Sequence, residues 1–257
     1  MSALLFICDG VNHTASDNRG SGADDIPPAW PAWPAASLDG LSDMASGNKN
    51  NDLIREIRAQ GVRDTRVLDA FRAVRRADFV PPEFAGYAYE DCPLPIAHSQ
   101  VTTQPSLVAR MVEALDLEPT DCALEVGAGL GFQAAILSRL CHLVVSVERF
   151  PDLADAAREN LRRAGITNAL VLIGDGTEGA PAHAPFQAII GAAAAPRVPD
   201  PLAEQLAEGG RLILPIGPGG HEDVTLFRKD GGRLVRLVSV VPASFVRMVG
   251  VHAYPGD

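Results

Sequence analysis

The stretch LEVGAGLGFQAA, residues 124–135, decides the fold. Its first residues predict a buried strand, its three glycines a tight turn, and its last residues the start of a helix. Such a unit points backbone N–H groups and the positive end of a helix at a ligand. Side chains at Gly127, Gly129 and Gly131 would block that approach, and a tight turn there can also require φ > 0. A glycine-rich turn without any ligand is the alternative interpretation.

A second apolar run, HLVVSV at residues 142–147, ends at Glu148. That acid lies roughly 20 residues beyond the glycines, where nucleotide-binding βαβ units place the group that binds ribose hydroxyls. A solvated acid at a strand end is the simpler interpretation of Glu148 alone. The ordered set of strand, turn, helix, strand and acid favours a nucleoside site.

The spacing of the glycines bears on which nucleotide is bound. Dinucleotide sites use G-x-G-x-x-G, whereas this chain has G-x-G-x-G with Glu125 just before the first glycine. An acid at that position would repel a pyrophosphate and would suit a cationic ligand. S-adenosylmethionine carries an ammonium, a sulfonium and a ribose, so we favour it over NAD.

Strand and helix patterns alternate after residue 122 and predict an α/β fold. Strands are predicted at residues 123–126, 143–147, 169–173, 186–190 and 211–214, and helices at 132–140, 152–164 and 201–207. Two further runs flank Asp230-Gly231-Gly232, which is typical of a hairpin. The pattern indicates a doubly wound, mostly parallel sheet with an antiparallel C-terminal hairpin.

Ligands in such sheets bind outside the carboxyl ends of the strands. The strand predicted at 169–173 ends in Gly174-Asp175-Gly176. We expect Asp175 to accept a hydrogen bond from an adenine amine and Gly176 to leave room for a flat base. An ordinary turn is the alternative, but its place on the same sheet edge favours binding.

Composition narrows the class of protein. The chain has 257 residues, 47% of them hydrophobic, and a net charge of −10. The length suits one sizeable domain with an appendage, and the negative charge argues against nucleic-acid or anionic-membrane partners. The four cysteines are scattered without a C-x-x-C pair, so we expect reduced thiols in a cytoplasmic protein and no metal site. No apolar run approaches membrane-spanning length.

The chain resembles the protein-L-isoaspartate O-methyltransferase family from about residue 52 to about residue 249. Six segments carry the resemblance: RRADFVP at 75–81, AYED at 88–91, PLPI at 93–96, EVGAGLGFQAA at 125–135, SVER at 146–149 and GDG at 174–176. The ordered set is highly specific. It implies a class I S-adenosylmethionine-dependent, Rossmann-like fold and methylation of L-isoaspartyl carboxylates in aged polypeptides, which is protein repair. Its partners would be isoaspartyl proteins or peptides, and we expect a monomer.

Composition and the resemblance together indicate a domain division. Residues 1–48, rich in Gly, Ser, Asp, Ala and Pro, are expected to be a disordered leader. Residues 49–257 would form the methyltransferase domain, with a helical and loop substrate subdomain at 49–118. Helices are predicted there at residues 51–60, 64–74 and 105–115, with an irregular loop at 85–103.

The family's catalytic serine corresponds to Thr103, in SQVTTQP at residues 99–105. Thr103, with Gln100 or Thr102, would orient the substrate carboxylate, although its hydroxyl could also simply cap the next helix. Loops 87–96 and 192–199, with Val246, would cradle the peptide backbone.

This chain departs from the family pattern at several positions that we expect to face the substrate. Val101 replaces a threonine, Gln187 replaces an aspartate, and a proline is missing after Val246. Two alternatives therefore remain open: a methyltransferase for a dedicated peptide, and a cofactor-binding module that has lost turnover.

Overall fold

The computed structural model describes residues 43–218 and 220–256, with the backbone alone for residues 43–48. All of them belong to one compact unit, Ala36–Asp257. Most of the predicted leader lies outside the described residues. The end of the predicted leader, residues 43–48, is helical. It forms the start of the first described helix, which begins at Asp43 rather than near residue 51 as predicted.

The bounds of the elements are as follows. The helices are α1 Asp43–Ala59, α2 Thr65–Ala73, α3 Pro105–Leu115, α4 Phe132–Leu137, α5 Pro151–Arg163 and α6 Asp200–Gln205. The strands are β1 Leu94–Pro95, β2 Val101–Thr102, β3 Cys122–Val126, β4 Leu143–Glu148, β5 Ala169–Ile173, β6 Phe186–Gly191, β7 Leu206–Ile216, β8 Glu222–Asp230 and β9 Arg233–Ala243. Short 3-10 helices span Arg76–Phe79, Pro82–Tyr87, Gly176–Glu178 and Pro181–His183.

A seven-stranded sheet with the order β5-β4-β3-β6-β7-β8-β9 organises the described residues. The strands from β5 to β7 are parallel, and β8 and β9 add an antiparallel edge. This confirms the fold predicted from the alternating pattern. The chain runs outward from β3 to β4 and β5 and then returns to β6 on the other side of β3. A crevice for ligands is expected at that reversal, outside the carboxyl ends of the strands.

The central strands form the core because both sheet faces are covered by helices. β3, β4 and β6 are almost continuously apolar, and Leu124, Val145 and Ile189 are all fully buried. Burial on this scale drives folding through the removal of apolar surface from water. The rigid sheet therefore supports the loops at its carboxyl edge.

Local signals predicted most of the element ends correctly. Asp64 caps α2 by accepting a hydrogen bond from the Arg66 N–H (2.8 Å), and Gly165 follows α5 with φ +69°. In the predicted hairpin turn, Gly231 and Gly232 both have positive φ angles, as a two-residue hairpin loop requires.

The helix predicted at residues 201–207 is shorter than expected. It ends at Gln205, and β7 begins at Leu206, because Leu206 pairs with Phe186 across a register shift in β6. Tertiary strand pairing thus overrides the local helical pattern. The helix α4 also ends earlier than predicted, at Leu137 rather than at residue 140, where hydrogen-bonded turns replace the helix.

No helix within the described ranges is both long enough and apolar enough to cross a membrane.

Candidate active site

The glycine turn between β3 and α4 has the geometry that its sequence predicted. Gly127, Gly129 and Gly131 have φ angles of 93°, 54° and 91°, a region that side chains strongly disfavour. A Cβ built on Gly131 would lie 3.4 Å from both Ala157 and Leu161 of α5. The glycines therefore serve the turn and its close packing against the neighbouring helix, in addition to any ligand.

Glu148 lies at the end of β4 and contacts the glycine turn directly. Its Oε2 accepts a hydrogen bond from the Gly129 N–H (2.9 Å), and its Oε1 accepts one from the Phe150 N–H (3.1 Å). The carboxyl group is buried, with 5% of the residue exposed. The structure thus brings together the turn and the acid that the sequence placed on adjacent strands.

Glu125 lies on β3, two residues before the first glycine of the turn, and is fully buried. Burial raises its pKa to about 8, and a hydrogen bond from the Ser146 hydroxyl opposes that rise. Burial thus favours the protonated form of the carboxyl group, whereas the sequence analysis treated this acid as an anion that suits a cationic ligand. A cationic ligand at the turn would favour the ionised form.

Buried polar atoms without partners flank the same turn. Glu125 Oε1, at the end of β3, makes no hydrogen bond to the described residues, and neither do the amide atoms of Gln133 in the first turn of α4. Gln133 lies close enough to favour the ionised form of Glu125, but not in hydrogen-bonding geometry. Because buried polar groups are almost always satisfied, these atoms fit a polar ligand such as the amino-acid end of S-adenosylmethionine.

Asp175 follows β5 and is bound by the C-terminal segment. Its Oδ1 accepts from the Thr177 N–H (2.8 Å) and hydroxyl (2.7 Å), and its Oδ2 accepts from the Val251 N–H (2.8 Å). Partial burial raises the pKa of Asp175, but these hydrogen bonds outweigh burial and hold it below its usual value. A cavity of about 560 Å³ opens beside Asp175, with Arg149 and Gly250 in its lining.

Close packing is by itself a sufficient reason for glycine at position 176. A Cβ at this position would lie 2.5 Å from Cγ1 of Val126, at the end of β3. Room for a flat base above Gly176 remains a prediction.

The loop predicted at residues 85–103 contains the small hairpin β1–β2, in which Leu94 pairs with Thr102. Thr102 is buried, and its Oγ1 accepts hydrogen bonds from Arg76 Nη2 (2.9 Å) and the Leu94 N–H (3.3 Å). Its hydroxyl oxygen therefore holds the hairpin together. Thr103 follows β2 and is half-buried, so of the two threonines it is the better placed to meet a substrate.

Arg76 is the residue that anchors this loop, and sequence reasoning missed it. The guanidinium is fully buried and donates to four backbone carbonyls, those of Ala88 (3.3 Å), Glu90 (2.9 Å), Cys92 (2.8 Å) and Thr103 (3.5 Å). Burial lowers its pKa to about 10, which still leaves it charged at neutral pH. The only sequence signal was a basic residue before the FVP segment.

Arg76 also connects the loop to the glycine turn. Its guanidinium carbon lies 5.7 Å from the centroid of the Phe132 ring, and Phe132 is the first residue of α4. Loop and turn are therefore held by one buried cation.

The start of α3 is capped by Asp91 rather than by Thr103. Asp91 Oδ1 accepts from the Ser106 N–H (2.8 Å), and its Oδ2 accepts from Gln104 Nε2 (2.9 Å). Asp91 therefore already fills the capping role that was the alternative interpretation of the Thr103 hydroxyl. Gln100 Nε2 donates to the His98 carbonyl (2.9 Å).

Two other sequence expectations have different outcomes. The expectation that Gln187 faces the substrate is wrong: its side chain accepts from the Cys122 N–H (2.8 Å), at the first residue of β3, away from the carboxyl edge of the sheet. Val246, in contrast, lies beside the loop after β6, because its carbonyl accepts from the Ala194 N–H (2.8 Å). A role of these residues in cradling a peptide stays a prediction.

The described part of the chain holds no cluster of three or more His, Cys, Asp or Glu residues suited to a metal ion.

Comparison with known proteins gives a consistent result. The model of the family protein-L-isoaspartate(D-aspartate) O-methyltransferase matches residues 48–253. The protein-L-isoaspartate O-methyltransferase of Methanoculleus marisnigri is 47% identical over 202 residues, covering 79% of this chain and 91% of that protein. The enzyme of that name from a Roseiflexus species is 44% identical over 214 residues, covering 83% of this chain and 98% of the relative.

Solved structures agree. A protein-L-isoaspartate O-methyltransferase superimposes with a TM-score of 0.71 at 31% identity, covering 79% of this chain and 67% of the other. A Plasmodium falciparum protein described as the same type of enzyme, solved in complex with S-adenosyl-L-homocysteine, gives a TM-score of 0.67 at 24% identity. The alignment covers 78% of this chain and 98% of that one.

Proposed function

The chain belongs to the protein-L-isoaspartate O-methyltransferase family, and we propose on that premise that it repairs damaged proteins. It transfers a methyl group from S-adenosylmethionine to the carboxylate of L-isoaspartyl residues. The observation that carries this function is the match of the family model to nearly all of the described chain, residues 48–253.

The residues of the cleft fit the cofactor. In our proposal, Glu125 and the glycine turn (Gly127, Gly129 and Gly131) hold its methionine part. Glu148 holds the ribose hydroxyls. The unpartnered atoms of Glu125 and Gln133 on either side of the turn support this arrangement.

Asp175 and Gly176 would hold the adenine. Both Asp175 oxygens already accept protein hydrogen bonds, but each carboxylate oxygen can accept more than one. The cavity beside Asp175 offers space for a base.

The reaction requires little proton transfer. When bound, the cofactor supplies a methyl group on a sulfonium, and a substrate carboxylate oxygen gains the bond to carbon as the bond to sulfur breaks. The free carboxyl of an isoaspartyl residue is an α-carboxyl with a reference pKa of about 3.5, so it is ionised at neutral pH and needs no general base. The protein's contribution is then to position the reactants and to exclude water.

Thr103 is our candidate for the positioning group. Its hydroxyl would donate a hydrogen bond to the substrate carboxylate. It adjoins Thr102, whose side chain is held by Arg76, so its backbone is fixed before the substrate arrives. We propose no catalytic role for a metal.

We further propose that isoaspartyl proteins are the only macromolecular partners, and that the protein acts as a cytoplasmic monomer. The negative net charge supports the absence of nucleic-acid and anionic-membrane partners. Light scattering of the purified protein would test the monomer, since a mass near twice 27.1 kDa would contradict it.

The test of the function compares two peptides that differ at one residue. Labelled S-adenosylmethionine is supplied with an isoaspartyl peptide and, separately, with its aspartyl twin. Transfer to the isoaspartyl form alone is the expected result. Cofactor binding without transfer to either peptide would instead indicate a dedicated peptide substrate or lost turnover.

A further inference from the structure

The hairpin β1–β2 closes with a strained turn. The Ile96 N–H donates to the Gln100 carbonyl (2.9 Å), and the Gln100 N–H donates to the Ala97 carbonyl (3.2 Å). Between them, His98 and Ser99 have φ angles of 59° and 53°. Two successive non-glycine residues in this region are costly and persist only where the surroundings hold them in place.

His98 supplies contacts that hold the turn. Its Nε2 lies 2.8 Å from each carboxylate oxygen of Asp152, in the first turn of α5. Its ring stacks on Phe150, with ring centroids 4.1 Å apart and an interplanar angle of 1°. The hydrogen bond with His98 also holds the pKa of Asp152 below its usual range.

The same turn lies against the cofactor cleft. A Cβ on Gly129 would be 3.5 Å from Cδ1 of Ile96, so the hairpin packs directly on the glycine turn. Phe150, on which His98 stacks, donates its N–H to Glu148. The other end of the hairpin leads to Thr103.

We propose that His98 is a positioning residue that fastens the hairpin Leu94–Thr102 over the cofactor cleft and thereby slows exchange of the cofactor. The proposal rests on the proposed cofactor site. In this proposal, the hairpin moves away from the glycine turn when a nucleoside enters or leaves, and that movement breaks the contacts of His98 with both Asp152 and Phe150. An exposed hydrogen bond to a carboxylate stabilises little by itself, but here it acts together with ring stacking.

The test uses S-adenosylhomocysteine as the probe and measures its dissociation rate by stopped-flow competition. The variant is His98→Asn, because asparagine tolerates a positive φ and removes the imidazole without adding backbone strain. Dissociation should accelerate about five- to tenfold. Asp152→Asn should accelerate it less, and the two changes combined should be less than additive because they act on one contact.

Asp155→Asn is the matched control. It removes a carboxylate from the same helix, one that pairs with Arg158 rather than with the hairpin, and it should leave the dissociation rate unchanged.

A second experiment measures the hairpin without any ligand. Amide hydrogen exchange of residues 94–102 in the cofactor-free protein should be faster in His98→Asn than in the parent or in Asp155→Asn.

Unchanged dissociation and unchanged exchange in His98→Asn would overturn the proposal. The role of His98 can be tested independently of the repair activity. Faster dissociation in a protein that fails to methylate isoaspartyl peptides would support the fastening by His98 and refute the repair activity. No binding of S-adenosylhomocysteine by the parent would refute the cofactor site itself.

Discussion

At the scale of single residues, the site depends on a few side chains whose surroundings determine their roles. Thr103 is the residue on which turnover should depend most. Thr103→Val removes the hydroxyl at nearly constant volume, and we expect kcat to fall about 10- to 100-fold, the value of one hydrogen bond to a charged group. Affinity for S-adenosylhomocysteine should be kept. Thr103→Ser, which retains the hydroxyl, should stay within a few fold of the parent, and equal loss in both variants would show that the hydroxyl is not the working group.

Glu125 should make stability depend on pH. Its pKa is about 8 in the folded protein against an ordinary value of 4.5, so the folded state holds a proton that the unfolded state releases. Its contribution to stability is complete below pH 4.5 and is lost as pH rises to about 8, by up to about 1.4 kcal/mol per pH unit.

The side chain in Glu125→Gln cannot titrate. The free energy of unfolding of this variant should therefore fall less steeply with rising pH than that of the parent. Urea unfolding of the cofactor-free parent and variant at pH 5.5, 6.5, 7.5 and 8.5 would measure it. Parallel profiles for the two proteins would contradict a raised pKa for Glu125.

Arg76 should be essential for the loop that carries Thr103. Arg76→Lys keeps the charge but cannot reproduce the fork of donors, so backbone carbonyls would be left buried without partners. We expect a loss of about 2–4 kcal/mol in the free energy of unfolding. The neighbouring Arg75→Lys, at an exposed side chain, should cost less than about 0.5 kcal/mol, and similar losses in both would refute the anchoring role.

Residues whose positions follow from local sequence patterns were predicted, and residues whose partners lie far away in the sequence were missed. Glu125 and Glu148 were predictable because each follows from its position on a strand next to the glycine turn. Arg76 and His98 were not, because their partners are distant in sequence: Arg76 binds carbonyls 12 to 27 positions away, and His98 binds an acid 54 positions away. No local pattern encodes such contacts.

At the scale of the elements, the turn between β3 and α4 joins the sheet to the proposed cofactor site. Gly131→Ala should destabilise the protein for two reasons, its φ of 91° and the contacts that a Cβ would make with α5. Gly165→Ala is a matched comparison, because Gly165 also has a positive φ but nothing lies within 4 Å of its Cβ position.

We expect Gly165→Ala to cost about 1 kcal/mol, and Gly131→Ala to cost more and to weaken binding of S-adenosylhomocysteine as well. Urea unfolding and calorimetric titration would measure the two effects. Equal costs and unchanged binding would mean that the turn tolerates a side chain.

Elements defined by local signals were predicted well, and those defined by pairing were not. α3 has the predicted bounds of residues 105–115, because a proline at its first position and apolar periodicity specify it locally. β7 begins five residues before the predicted strand, because its first residue pairs with β6. The small hairpin β1–β2 was expected to be irregular loop for the same reason.

At the scale of the whole molecule, the sheet brings to one edge groups that are far apart in the chain. The glycine turn, Glu148 and Asp175 end three adjacent parallel strands, β3, β4 and β5. The C-terminal segment then returns to this edge and binds Asp175 through Val251. The proposed cofactor site is thus assembled by the folded sheet rather than by any one segment of the chain.

Calorimetric titration of the folded protein with S-adenosylhomocysteine tests this most directly. We predict saturable uptake of one molecule per chain, weakened at least about tenfold in Glu148→Ala by loss of the carboxylate that would bind the ribose. Thermal unfolding of the variant would verify that it remains folded. Absence of saturable uptake by the folded parent protein would contradict the central claim.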